Sequence, residues 1–133
     1  MENVESEKSF STWFLDAAHL HGWLCRHNRP AMTGRKDRNG KPVWVTAYQG
    51  DGVDMDWYCV NVEQMRAMWV ELKSTDGNLS GEQADWLETL LEAGQEAGAF
   101  WPGDRELLLE LLGGSKEADI AGLHGEWPHA EGE

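Results

Sequence analysis

Apolar residues recur with different periods along the chain, and the periods set the predicted elements. Phe10, Trp13, Phe14, Ala17 and Leu20 repeat at three- and four-residue spacing, which predicts an amphipathic helix over 6–21. Ser6 is placed to cap it, Glu7 favours its positive end, and Gly22 stops it. Residues 23–27 read as a short strand. Residues 28–42 read as a loop carrying Pro30, Gly34, Asn39-Gly40 and Pro42, and 43–47 are β-rich. After a turn at 49–52 the segment 54–60 alternates. Met55, Trp57 and Cys59 face one way, and Asp54, Asp56 and Tyr58 the other. A connection at 61–66 leads to a strand at 67–73. Ser80 then caps a helix over 81–93, with Gln83 at the capping-box position and Trp86, Leu87, Leu90 and Leu91 as its buried stripe. A strand at 97–101 follows. After Pro102-Gly103 comes a helix over 104–112, capped by Asp104, with Leu107, Leu108, Leu111 and Leu112 inward. Strand 67–73, helix 81–93 and strand 97–101 form a right-handed crossover, so the two strands are predicted to be parallel. The class is α/β, a mixed sheet of about four to five strands flanked by helices.

A chain of 133 residues suits one domain and can bury a core without metal or disulfide staples. Eight tryptophans add aromatic bulk to that core. Residues 1–113 form the predicted domain; 114–133 are an acidic, glycine-containing tail, weakly ordered or a docking segment. The acidic start and the lack of any apolar run near ~20 residues predict a cytoplasmic protein without a membrane partner. Cys25 and Cys59 lie in apolar strand-like text and read as buried reduced thiols rather than a disulfide or a zinc site.

Charge is unevenly spread. The net charge of −13 argues against a nucleic-acid partner for the chain as a whole. Yet Arg26, Arg29, Arg35, Lys36, Arg38 and Lys41 fall within 26–41 against the single acid Asp37, while nineteen acids and only four basic residues follow residue 41. A basic loop beside an acid cluster suits a polyanion approaching a metal site; a solvated loop is the competing reading.

The candidate chemistry is carboxylate chemistry. Glu71 and Lys73 are two apart on one predicted strand and so share a face, and Asp54 opens the neighbouring strand. Two acids and a base are the minimum set for holding Mg²⁺ and activating water on a phosphodiester. An E-x-K pair on an edge strand is the bland alternative.

The longer pattern adds weight. Ser6-Glu7-Lys8 opens the first helix and His21-Gly22-Trp23 closes it. Then come Gly50-Asp51-Gly52-Val53-Asp54-Met55, Val70-Glu71-Leu72-Lys73-Ser74, Gly77-Asn78-Leu79-Ser80-Gly81-Glu82-Gln83-Ala84-Asp85-Trp86-Leu87, and Trp101-Pro102-Gly103-Asp104. From residue 6 to 112 this order resembles a stand-alone virus-type replication–repair nuclease (VRR-NUC) domain of the PD-(D/E)XK superfamily, with its restriction-endonuclease-like core. The proline that family places before its first acid is Val53 here, which leaves Asp54 and Asp56 both open as that acid. The resemblance implies a Mg²⁺- or Mn²⁺-dependent DNA endonuclease in replication, repair or recombination, of phage or bacterial type. It would act on branched DNA such as a Holliday junction or a flap, as a homodimer, without an organic cofactor. It implies Asp54, Glu71 and the Leu72 carbonyl as metal ligands, Lys73 as the catalytic base or charge stabiliser, and Gln83 as its orienting partner or a plain cap. Glu7 would hold a water or a second metal, or be a plain helix-start acid. The other readings are a non-catalytic DNA-binding or assembly module on the same fold, and an acidic DNA mimic.

Overall fold

A computed structural model of the chain describes residues 4–28, 31–45 and 55–114, with backbone alone for 31–35 and 42–45. The first apolar stripe winds into α1 (Glu7–Leu20), which starts where the Ser6 side chain accepts a hydrogen bond from Ser9 N at 3.0 Å. Phe10, Phe14, Ala17 and Ala18 are its buried positions. Leu20, predicted inward, is 82% exposed, in the last turn of the helix. Gly22, at φ +88°, reverses the chain into β1 (Leu24–His27).

The segment predicted as a loop contains a hairpin instead. The strands β2 (Ala31–Lys36) and β3 (Pro42–Val45) pair antiparallel in a two-stranded sheet of their own. Asp37 closes the turn, its Oδ1 accepting from Asn39 N and Lys41 N, and Gly40 takes a positive φ of 78°. Pro42, unable to donate to a ladder, opens its strand. The β-rich stretch 43–47 is therefore a hairpin arm where it is described, and not a member of the main sheet.

The main sheet has the order β1-β4-β5-β6, with β4 spanning Trp57–Asn61, β5 Arg66–Leu72 and β6 Glu96–Phe100. β4 is antiparallel to both neighbours, whereas β5 and β6 are parallel through α2 (Gly81–Glu92), as the crossover predicted. The result is an α/β fold with a four-stranded mixed open sheet. Alternation sorts its faces. Trp57, Cys59, Met68, Val70 and Leu72 join α1 and the last helix, α3 (Arg105–Leu112), in one core, together with Phe10, Phe14, Trp23 and Phe100. Ala97 and Ala99 pack with Leu79, Leu87 and Leu90 of the α2 side in a second core that also takes in Met55. Cys25 and Cys59 are directly paired across β1 and β4, and both are free thiols, with Cys59 buried and Cys25 half-buried. Their mutual hydrogen bond lowers the Cys25 pKa and, with burial, pushes that of Cys59 up.

Between Leu72 and α2 the chain is fixed by backbone contacts. Gly77 N donates to Ser74 O, and a Cβ on Gly77 would stand 3.0 Å from Ser74 Oγ, so a side chain there would have to displace the Ser74 hydroxyl. Trp101 Nε1 donates to Gly77 O at 2.7 Å. Asp104 does not cap α3 through its side chain; its Oδ2 accepts from Trp101 N at 2.8 Å and folds the Trp101-Pro102-Gly103-Asp104 corner back on itself. Among the described residues no helix is long and apolar enough to cross a membrane.

Candidate metal-dependent hydrolytic site

Among the described residues, the acid that meets Glu71 is Asp56. It sits at the mouth of β4, where Asn28 N donates to its carbonyl at 2.7 Å. Asp56 N donates to Glu71 Oε1 at 3.2 Å, and Leu72 N donates to Asp56 Oδ2 at 3.1 Å. The Asp56 side chain thus takes a ladder position beside β5, just before Trp57 pairs with Val70. Asp54 lies outside the described residues, as do Arg29, the side chain of Arg35, and the tail from 115 onward. Of the two acids the sequence left open, the one described is held against Glu71.

Glu71 is 3% exposed, at the end of β5. Lys73 follows two residues later, and its Nζ lies 3.4 Å from Glu71 Oε2, as the shared strand face predicts. Gln83, in the first turn of α2, ties the pair together: its Oε1 accepts from Lys73 Nζ at 2.8 Å and its Nε2 donates to Glu71 Oε2 at 3.2 Å. The same Oε1 accepts from Ser80 N at 3.0 Å, while Ser80 Oγ accepts from Gln83 N at 3.1 Å. One residue therefore closes the capping box and orients both functional side chains. The capping bonds and the bonds to Lys73 and Glu71 are thus made by the same side chain.

Glu7 completes the cluster. Glu5, just before the Ser6 cap of α1, exchanges hydrogen bonds with Thr75, which anchors the helix start beside the end of β5. Burial, and then the Asp56 carboxyl within hydrogen-bonding reach, raise the Glu7 pKa against an opposing pull from Lys73. Glu71 is pushed up to about 8, by burial first and by the neighbouring Asp56 charge second. Three carboxyls thus share a site with one ammonium, an arrangement short of positive charge. Among the described residues no group of three or more His, Cys, Asp or Glu is placed to hold a metal ion. What remains is a pair of carboxylates, Asp56 and Glu71, with hard oxygens at the end of β5. That suits Mg²⁺ or Mn²⁺, which keep several waters and bind through one or two carboxylates. The donor set fits such an ion.

Of the basic residues, Arg26 is exposed on β1, where it pairs with Tyr58, and Lys36, Arg38 and Lys41 are exposed around the β2–β3 turn. A feature the sequence did not reveal is a flat ring pair, His27 on Trp57, with centroids 4.3 Å apart and planes at 6°. The stacking follows from the β1–β4 register, which pairs His27 with Trp57. Compared with known proteins, the chain matches no family model, no curated protein and no solved structure.

Proposed function

We propose that this chain is a metal-dependent DNA endonuclease with a PD-(D/E)XK-type core, acting on branched or otherwise structured DNA. The observation that carries the reading is the convergence of Asp56, Glu71 and Lys73 at one end of the sheet, with Gln83 bonded to both of the latter. Two further features support it: the order of α1, three antiparallel strands, α2 and a parallel strand, and the excess of carboxyls over cations in a partly buried cluster. Asp56 and Glu71 would hold the ion, and the Leu72 carbonyl would be a further ligand. A divalent ion bound there supplies neutralisation of phosphate charge and acidification of water. Lys73 would stand beside the leaving or attacking oxygen and stabilise charge that builds during displacement. Gln83 keeps its ammonium aimed, and Glu7 orders water at the open side. The exposed Lys36, Arg38 and Lys41, with Arg26, Arg29 and Arg35, engage flanking phosphates. The working form is a homodimer.

The test is cleavage of labelled duplex, flap and four-way-junction DNA with Mg²⁺ or Mn²⁺, beside Glu71→Ala. Cutting that requires the metal and disappears in the variant supports the reading. Binding of the same DNAs without cutting under any divalent ion assigns the chain to a DNA-binding or assembly module.

A further inference from the structure

We propose that the groove alongside α1 holds one unpaired nucleotide next to the bond that is cut. The inference rests on the nuclease reading and adds where the flanking strand lies. The groove has a volume of about 560 Å³, within the range of roughly 300–1,000 Å³ usual for small-ligand pockets. One wall is a single face of α1, on which Lys8, Ser11 and Leu15 follow at three- and four-residue steps. Its floor is the stacked pair His27 and Trp57, and Trp57, at 6% exposed, is fixed in the core.

Glu7 both lines the groove and neighbours Asp56, so the groove opens directly onto the carboxyl cluster. Its chemistry is divided in the way a nucleotide is. The Lys8 ammonium and Ser11 hydroxyl are donors for a phosphate. Thr12 already donates its hydroxyl to Lys8 O at 3.1 Å and offers only lone pairs. The His27 ring, held flat by Trp57, and the apolar Leu15 side chain offer a base a stacking surface. Stacking on aromatic rings is tolerant of base identity, so the site selects for an accessible base rather than for a sequence. A duplex does not fit a groove of this size, and a paired base must first be unstacked to enter it. That cost is least for a base that is already single-stranded. The substrate class is therefore DNA with an unpaired nucleotide beside the scissile phosphate, as at a flap base or an open junction.

Two measurements decide it. In the first, thymidine 5′-monophosphate and a single-stranded tetranucleotide are titrated into the labelled protein without metal, with the Trp57 indole and His27 ring followed by NMR. Saturable shifts at both are expected in the wild type. They should vanish in Ser11→Trp, which fills the groove, and in Lys8→Glu, an exposed change that keeps the test valid if the bulky variant misfolds. In the second, cleavage is compared on substrates that differ only in pairing of the nucleotide next to the cut. The wild type is expected to favour the unpaired form by about tenfold, and His27→Ala to cut both alike. No shift at Trp57 and His27, equal shifts in the Lys8→Glu protein, or undiminished discrimination in His27→Ala would each overturn the inference. A wild type that cuts no DNA with Mg²⁺ or Mn²⁺ sinks the nuclease reading separately, and the titration still decides the groove.

Discussion

Glu71 shows how burial and function pull against each other in one residue. Its carboxyl, raised to about 8 by burial and Asp56, holds a proton in the folded chain that it would lose near 4.5 when unfolded. That contribution to stability is complete below pH 4.5 and is lost as pH rises through 8, because the unfolded state then binds fewer protons than the native one. In chelator, thermal melts are therefore expected to shift downward between pH 5 and pH 8.5, and Glu71→Gln should reduce the slope. Glu7, raised in the same direction, leaves a remainder. Adding Mg²⁺ should stabilise most at the alkaline end, where the carboxylates are ionised. A wild type whose melting point ignores pH in chelator would refute the buried-proton account. For Gln83 the two bonded roles separate by substitution. Gln83→Ala is expected to cost about 1 kcal/mol of stability through the broken capping box and to slow cleavage roughly 10- to 100-fold, the usual loss when a partner of a metal-site side chain is removed. A variant destabilised by that amount with undiminished cleavage would leave Gln83 as a cap only. Glu71, Lys73 and Gln83 were legible in the sequence because strand parity and the capping box fix each one locally. Asp56 was legible only as an alternative to Asp54, because 54 and 56 share a parity, and Asp54 lies outside the described residues. What places Asp56 against Glu71 is the pairing of Trp57 with Val70, a contact between strands that no local pattern encodes.

At the scale of elements, the motif-rich stretch from Gly77 to Asp104 is mostly scaffold. Trp101 bonded to Gly77 O, Asp104 bonded to Trp101 N, and the fully buried Leu79 hold α2 so that Gln83 reaches Lys73. The β2–β3 hairpin escaped the sequence reading because its glycines and prolines signal loops. Yet Asn39-Gly40 is also a turn signal, and Pro42 is admissible as the first residue of a strand. If this hairpin engages phosphates, replacing Lys36, Arg38 and Lys41 together with Gln should flatten the dependence of binding on salt. The log–log slope should fall by roughly 0.9 for each phosphate that is no longer neutralised. An unchanged slope would return the hairpin to solvent. The β4–β5 turn carries its own test. Met65 has φ 52° and its side chain is 90% exposed, so it bears left-handed strain without packing in return. Met65→Gly is expected to raise stability by roughly 0.5–1 kcal/mol, read as a higher melting temperature. A lower one would show that Met65 is covered in solution.

That last outcome bears on the whole molecule. Leu20, Leu24, Val62 and Met65 are between 67% and 90% exposed. They gather at one end of the sheet: Leu24 pairs with Val60, and Asn61 Nδ2 donates to His21 O at the close of α1. A homodimer that buried apolar surface would use this end. The carboxyl cluster lies at the other, since β5 runs from Arg66 at the turn to Leu72 beside Glu71. Five residues of strand separate the two ends, roughly 17 Å, so two sites joined through the turns would stand on the order of 35 Å apart or more. They would also face outward. Such a dimer cuts the arms of a junction independently rather than in concert. Light scattering should then give about twice the 15.0 kDa chain mass. The double variant Val62→Lys, Met65→Lys should fall to the monomer mass while still cutting a flap. On a cruciform plasmid, singly nicked circles should accumulate before linear product. A monomeric wild type would remove the dimer. A dimeric one that gives linear product without a nicked intermediate would move the interface away from these turns, to a face that lets both sites meet one junction.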